Sequence, residues 1–180
     1  MEITIIIQPI SFELTVYLLS PSEQKLSKAF DAITKVLPPI KRTLLPPSSF
    51  DNKRGQWKSD EILNWLLYKN KPDKSTIMLA ICDFDAYSDG LNFVFGQAHV
   101  FGRVSAICLP RLRPEFYGLK TNNSLFHQRI TKEAVHELGH VRGLNHCNKP
   151  TCVMYFSNSL SDTDIKADNF CDSCRSIIIS

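Results

Sequence analysis

Residues 134–155 read AVHELGHVRGLNHCNKPTCVMY and hold three of the chain's five histidines, two of its six cysteines and a methionine. His136 and His140 are four residues apart, so on a helix both imidazoles leave one face a turn apart and can close on a single ion. Glu137 sits at the edge of that face, near a metal's water without being a ligand, which is the place of a general base. A catalytic zinc keeps one of four positions for water and therefore needs a third protein ligand, for which His146 is the candidate. A continuing helix would carry residue 146 about 9 Å past His140, too far for bonds of about 2 Å. The helix must stop and turn back. Gly143 stands where that turn is required, because glycine reaches left-handed backbone without a Cβ clash.

Outward from this stretch, Cys147 follows His146 directly, Cys152 comes five residues later, and CDSC at 171–174 supplies Cys171 and Cys174. Two close pairs of thiols fit a closed zinc site of four thiolates, which leaves no position for water and is structural. Two disulfides and free buried thiols are the alternatives. The start, MEITIIIQPI, is apolar for only five residues and carries Glu2, so it reads as a first strand and not as a secretory signal. No 18-residue apolar run suggests a membrane span, and a cytoplasmic, reducing location is expected, which disfavours disulfides. Cys82 and Cys108 lie in apolar strand patterns and read as core. Ser161 with Asp164 reads as a capping box, so a helix is expected from about 162, delivering Cys171 and Cys174 at i, i+3. Asp162, Asp164 and Asp168 then read as helix-start and surface charges.

Elsewhere the pattern predicts a strand at 3–7, then a helix capped by Ser22 with Leu26, Phe30, Ile33 and Leu37 on one face, ended by Pro38-Pro39. A short, extended stretch within 40–50, a surface loop from Ser48 to Gln56 and a helix over 58–70 follow. STIMLAICDFDAY is an unbroken apolar run bounded by turn residues, the pattern of a central strand covered on both faces. Gly96 and Gly102 interrupt the next apolar segment, which predicts strands at about 92–101 and 104–109. A long helix over 125–142 ends at Gly143 and carries the histidines. The order is that of an α/β sandwich.

At 180 residues, 43% hydrophobic and 22% charged, the chain fits a single globular domain. A net charge of +3 with scattered basic residues argues against a nucleic-acid partner, as does the segment 158–174, rich in aspartate with one lysine. A monomer is the default expectation.

HELGHVRGLNH matches the H-E-x-x-H-x-x-G-x-x-H pattern of the metzincin zinc peptidases. Met154, eight residues after His146, stands where that clan has a methionine turn beneath the metal. The three histidines, the immediately following cysteine, C-x4-C-x-M and the later C-x-x-C are a narrower combination that resembles the archaemetzincins. That resemblance implies a zincin fold: a twisted mixed five-stranded sheet, a backing helix, an active-site helix and a small zinc-stabilised C-terminal lobe. It further implies one catalytic domain over 1–180, divided into an upper part at 1–143 and a lower part at 144–180, with two zinc ions per chain. Peptides or proteins would be hydrolysed by a zinc-bound water with Glu137 as general base. An extended substrate would pair with an edge strand within 92–101, beside Phe93, Phe95 and the Tyr155-Phe156 wall. Many metzincins place a tyrosine two residues after the methionine as an extra ligand; here that position is Phe156, and Tyr155 is not assigned as a ligand. The alternative is a catalytically quiet, zinc-stabilised module that captures a peptide or protein, which would have no need of Glu137.

Overall fold

In the computed structural model, which describes residues 2–10 and 20–179, β1 (Ile3–Ile10), α1 (Ser20–Phe30) and β2 (Ala32–Val36) come first. A short hairpin of β3 (Phe50–Asp51) and β4 (Gln56–Lys58) leads into α2 (Ser59–Asn70). Next come β5 (Thr76–Cys82), β6 (Ala86–Tyr87), β7 (Gly96–His99), β8 (Val104–Cys108) and the long α3 (Asn123–Val141). Two short helices, α4 (Leu160–Ile165) and α5 (Asp172–Ile179), complete the described chain.

The main sheet runs β2-β1-β5-β8-β7, parallel except for the antiparallel β7, and β3, β4 and β6 form a smaller second sheet. The mixed five-stranded sheet expected from the resemblance is therefore present. β5 is its central strand, and its pleat sends alternate side chains to opposite faces. Ile77, Leu79 and Ile81 join the cluster under α1 and α3, while Met78, Ala80 and Cys82 join the one under α2. Cys82 and Cys108 face each other in register and are buried, as expected of core residues. The first cluster includes Val153, Met154, Cys174 and Ile178, so residues on both sides of Gly143 share one apolar core.

The N-terminal region departs from expectation. The helix ends at Phe30, and Asp31 turns the chain through left-handed backbone (φ 48°) into β2. Ile33, expected on the buried helix face, is 50% exposed on an edge strand. Helical spacing of Ile33 and Leu37 is coincidental; the run Ile-Thr-Lys-Val, three of its four residues β-branched, pairs in parallel with β1 (Ile5 with Thr34), where branched side chains suit the pleat. Ser22 is inside α1, not its cap, and its buried hydroxyl pairs with that of Thr131 at 2.8 Å. The 48–56 loop contains the β3–β4 turn and a strand pairing. The capping box is formed by Ser159 and Asp162, two residues earlier than expected; α4 ends at Ile165, and a separate helix, α5, carries Cys174. Both serine–acid pairs fit the S-x-x-D signature, and only the tertiary setting chooses between them.

Candidate metal centres

α3 begins with Asn122, whose side chain accepts from the Leu125 N–H, and ends at Val141. Gly143 is left-handed (φ 90°), and the Leu144 N–H donates back to Gly139 O at 3.0 Å, so the chain reverses where expected. This reversal returns His146 to the helix: the Nε2 atoms of His136 and His146 lie 3.1 and 3.2 Å from that of His140.

These contacts carry a chemical consequence. Nδ1 of His136 lies 2.8 Å from Val153 O, and Nδ1 of His140 lies 2.7 Å from Leu144 O. Carbonyls only accept, so both Nδ1 atoms carry the proton, and the Nε2 atoms turn bare lone pairs toward one another. Burial pushes the pKa of all three histidines down, that of His136 farthest, which keeps the rings neutral. Converging lone pairs repel unless a cation lies between them. Tetrahedral bonds of about 2.1 Å would separate the nitrogens by about 3.4 Å, so the donor set fits zinc.

Glu137 is buried, and burial followed by the charge of Glu133 raises its carboxyl well above the ordinary range, against the opposing pull of Lys166. It borders a cleft of about 500 Å³, with His136, His140 and His146 on one side and Phe93, Phe95, Gly96 and Phe156 among the other lining residues. Tyr155 is not part of this lining, whereas Phe156 lies against the His146 ring at 4.7 Å between centroids. β7 lies at the edge of the main sheet, within the segment where an edge was expected.

The four cysteines also converge. Cys147 and Cys171 place their sulfurs 3.8 Å apart, as do Cys152 and Cys174, and all four sulfurs lie within 4.8 Å of one another. A tetrahedron with metal–sulfur bonds of about 2.3 Å has edges of about 3.8 Å, whereas a disulfide needs about 2.05 Å. Backbone N–H donation from Cys174 is the main influence holding the Cys171 thiol down at about 7, while burial pushes those of Cys152 and Cys174 up. Met154 is fully buried beside Gly139, at the helix between the two motif histidines.

Several residues around the cleft have no motif. Lys166, fully buried, contacts Glu133 at 2.8 Å as an ion pair without the angles of a hydrogen bond. Thr163 donates to the same Glu133 oxygen at 3.1 Å. Asp164, expected as a surface charge, receives a bidentate pair of bonds from buried Arg129, each 2.7 Å. Lys132 donates to the carbonyls of Thr163 and Asp164. One face of α3 thus holds segment 163–166. Glu133 was findable, one turn before Glu137 on the same face; Lys166, thirty-three residues away, carried no signal. The cleft's other wall is held by Arg54 and Gln56, which donate to Asn92 O, and by Arg111, stacked over Phe93 and paired with Asp85.

Comparison with known proteins assigns the chain to a family. Residues 31–179 match the model of peptidase family M54. The chain is 41% identical over 174 residues to the archaemetzincin of Methanocaldococcus jannaschii, covering 97% of this chain and 92% of that one. It is 48% identical over 126 residues to the archaemetzincin of Pyrococcus abyssi, covering 70% and 67%. Among crystal structures, a zinc-dependent peptidase from Methanocorpusculum labreanum superposes with a TM-score of 0.86 at 28% identity, covering 96% and 99% of the two chains. The archaemetzincin of Archaeoglobus fulgidus, complexed with malonate, gives 0.81 at 36% identity, covering 97% and 99%.

Proposed function

The chain belongs to peptidase family M54, with the archaemetzincins, and is a zinc-dependent metallopeptidase; from that premise we propose that His136, His140 and His146 hold its catalytic zinc and that Glu137 is the general base. The observation that carries this reading is the convergence of three Nε2 atoms, those of His136 and His140 as bare lone pairs, beside a buried carboxylate on the same cleft.

Zinc bound there would lower the pKa of a water and polarise the scissile carbonyl. The chain's own groups do the rest. Carbonyls of Val153 and Leu144 fix the tautomer and direction of His136 and His140. The cleft beside edge strand β7 seats an extended peptide, with apolar contacts from Phe93, Phe95 and Phe156. Glu137 takes the proton of the attacking water, and as the C–N bond breaks it passes that proton to the leaving amine nitrogen. Burial raises the proton affinity of this carboxylate, as a base working near neutrality requires.

Cys147, Cys152, Cys171 and Cys174 hold a second, structural zinc, and its closed thiolate set leaves no position for water. On this reading 1–180 is one catalytic domain, with 144–180 as a lower lobe on the 1–143 body. No helix among the described residues is long and apolar enough to cross a membrane, and a zinc site of four thiolates suits a reducing, cytoplasmic setting.

The test is metal analysis of the purified protein, with two zinc expected per chain, followed by cleavage of a peptide library. Glu137→Ala should retain both metals and lose turnover; an unchanged rate would rule Glu137 out as the base. A parent protein that retains library peptides without cleaving them would favour the binding module.

A further inference from the structure

We infer that the two metal centres bind cooperatively, the thiolate cluster serving as the template on which the histidine site is assembled through the backbone of residues 146–154. This rests on the two-zinc reading above. His146 and Cys147 share a peptide bond, so a ligand of each site moves with the other. Val153 directly follows Cys152, and its carbonyl accepts from His136 Nδ1–H at 2.8 Å. One histidine ligand is therefore next in sequence to a cluster cysteine, and another is oriented by the residue after a cluster cysteine.

The turn between them has no slack. The Cys147 N–H closes it on Met154 O at 2.9 Å, and the Cys152 N–H closes an inner turn on Lys149 O at 2.9 Å. Cys152, Val153 and Met154 are at most 1% exposed. Thr151 O accepts from the Ala167 N–H, the Val153 N–H donates to Asn169 O, each at 3.0 Å, and the Cys171 N–H points at Cys152 Sγ at 3.4 Å. The same backbone thus joins the histidine turn to the segment that brings in Cys171 and Cys174.

Packed turns of this kind have discrete arrangements and do not stretch continuously. Without an ion to tie the four sulfurs together, the 147–152 turn loses its anchor to α5. His136 then loses the fixed carbonyl that sets its tautomer, and His146 loses its placement. Loss of such an outer partner weakens metal binding by about 10- to 100-fold. Coupling between binding equilibria is reciprocal, so emptying the histidine site must weaken the cysteine site by a like factor.

The experiment uses the full chain in its two-zinc state. Zinc affinities are measured by chelator competition, and cobalt(II) substitution tells the sites apart, since only the cysteine site gives thiolate-to-cobalt charge-transfer absorption. In the pair variant Cys171→Ser, Cys174→Ala, the histidine site should bind zinc about 10- to 100-fold more weakly. In His140→Ala, the cysteine site should weaken by a like factor, and this arm decides alone if the cysteine variant does not fold by circular dichroism. An affinity within about twofold of the parent in a folded variant, or a loss in one direction only, overturns the coupling. A parent that holds fewer than two zinc overturns the two-site reading itself, a failure distinguishable from that of the coupling.

Discussion

Replacing Gly96 with alanine would drive a methyl group into the Glu137 side chain. A Cβ built at position 96 lies 2.6 Å from Cγ and from Oε1 of Glu137, and 2.8 Å from its Cδ. Ordinary contact begins at 3.4 Å, so the gap of 2.6 Å is short by 0.8 Å. Relief cannot come from the carboxylate tip alone, because Cγ is as close as Oε1, and the side chain is buried between α3 and β7. Gly96 does not have a left-handed φ, so its backbone accepts alanine and the side-chain collision is the main cost. A displacement of about 1 Å at a reacting group costs on the order of 100-fold in rate. We therefore expect Gly96→Ala to lower kcat by about 100-fold, with KM changed far less and zinc content unchanged. Overpacking should also cost about 1–3 kcal/mol of stability. Steady-state kinetics on a cleaved library peptide, with metal analysis and thermal melts, read all three quantities. Combining Gly96→Ala with Glu137→Ala removes the partner of the collision, so the stability cost should fall to near zero in that background. A kcat within about threefold of the parent, or an equal stability cost in both backgrounds, would refute the reasoning.

Other perturbations probe the support of the site. Lys166→Met leaves the Glu133 carboxylate buried without its ion, and should destabilise by about 3–5 kcal/mol in a denaturant titration. Adding Glu133→Gln removes the orphaned charge and should recover more than half of that loss; no recovery would mean that Lys166 matters for packing and not for charge. Gly139→Ala would place a Cβ in overlap with Met154 Sδ and 3.2 Å from Phe170 Cε1. A cost of about 1–3 kcal/mol, or a lowered melting temperature of several degrees, is expected, and Met154→Ala in the same chain should relieve it. A melting temperature unchanged by Gly139→Ala would show that Met154 is free to move.

The histidine cluster was legible because its geometry is local. Spacing of four on one helix, one left-handed glycine and three further residues bring His136, His140 and His146 together wherever the helix lies. The central strand was legible because burial on both faces leaves an unbroken apolar run. β2 was misread because Leu26, Phe30, Ile33 and Leu37 satisfy a helical period that the left-handed turn at Asp31 cuts short. Both candidate capping boxes satisfied the same four-residue signature, so local sequence could not choose between them.

The sequence by itself determined the side-chain types that converge, the helix that presents two histidines, the turn that returns the third, and the strand that forms the sheet's centre. All of these follow from backbone periods of two and 3.6 and from the conformational reach of glycine, interactions that span a few residues. Only the tertiary structure decided which glycine lies against Glu137, which lysine neutralises Glu133, and how Cys171 and Cys174 reach Cys147 and Cys152. Those pairings join segments tens of residues apart, and their distances are fixed by how strands and helices pack, a collective outcome that no short window of sequence contains.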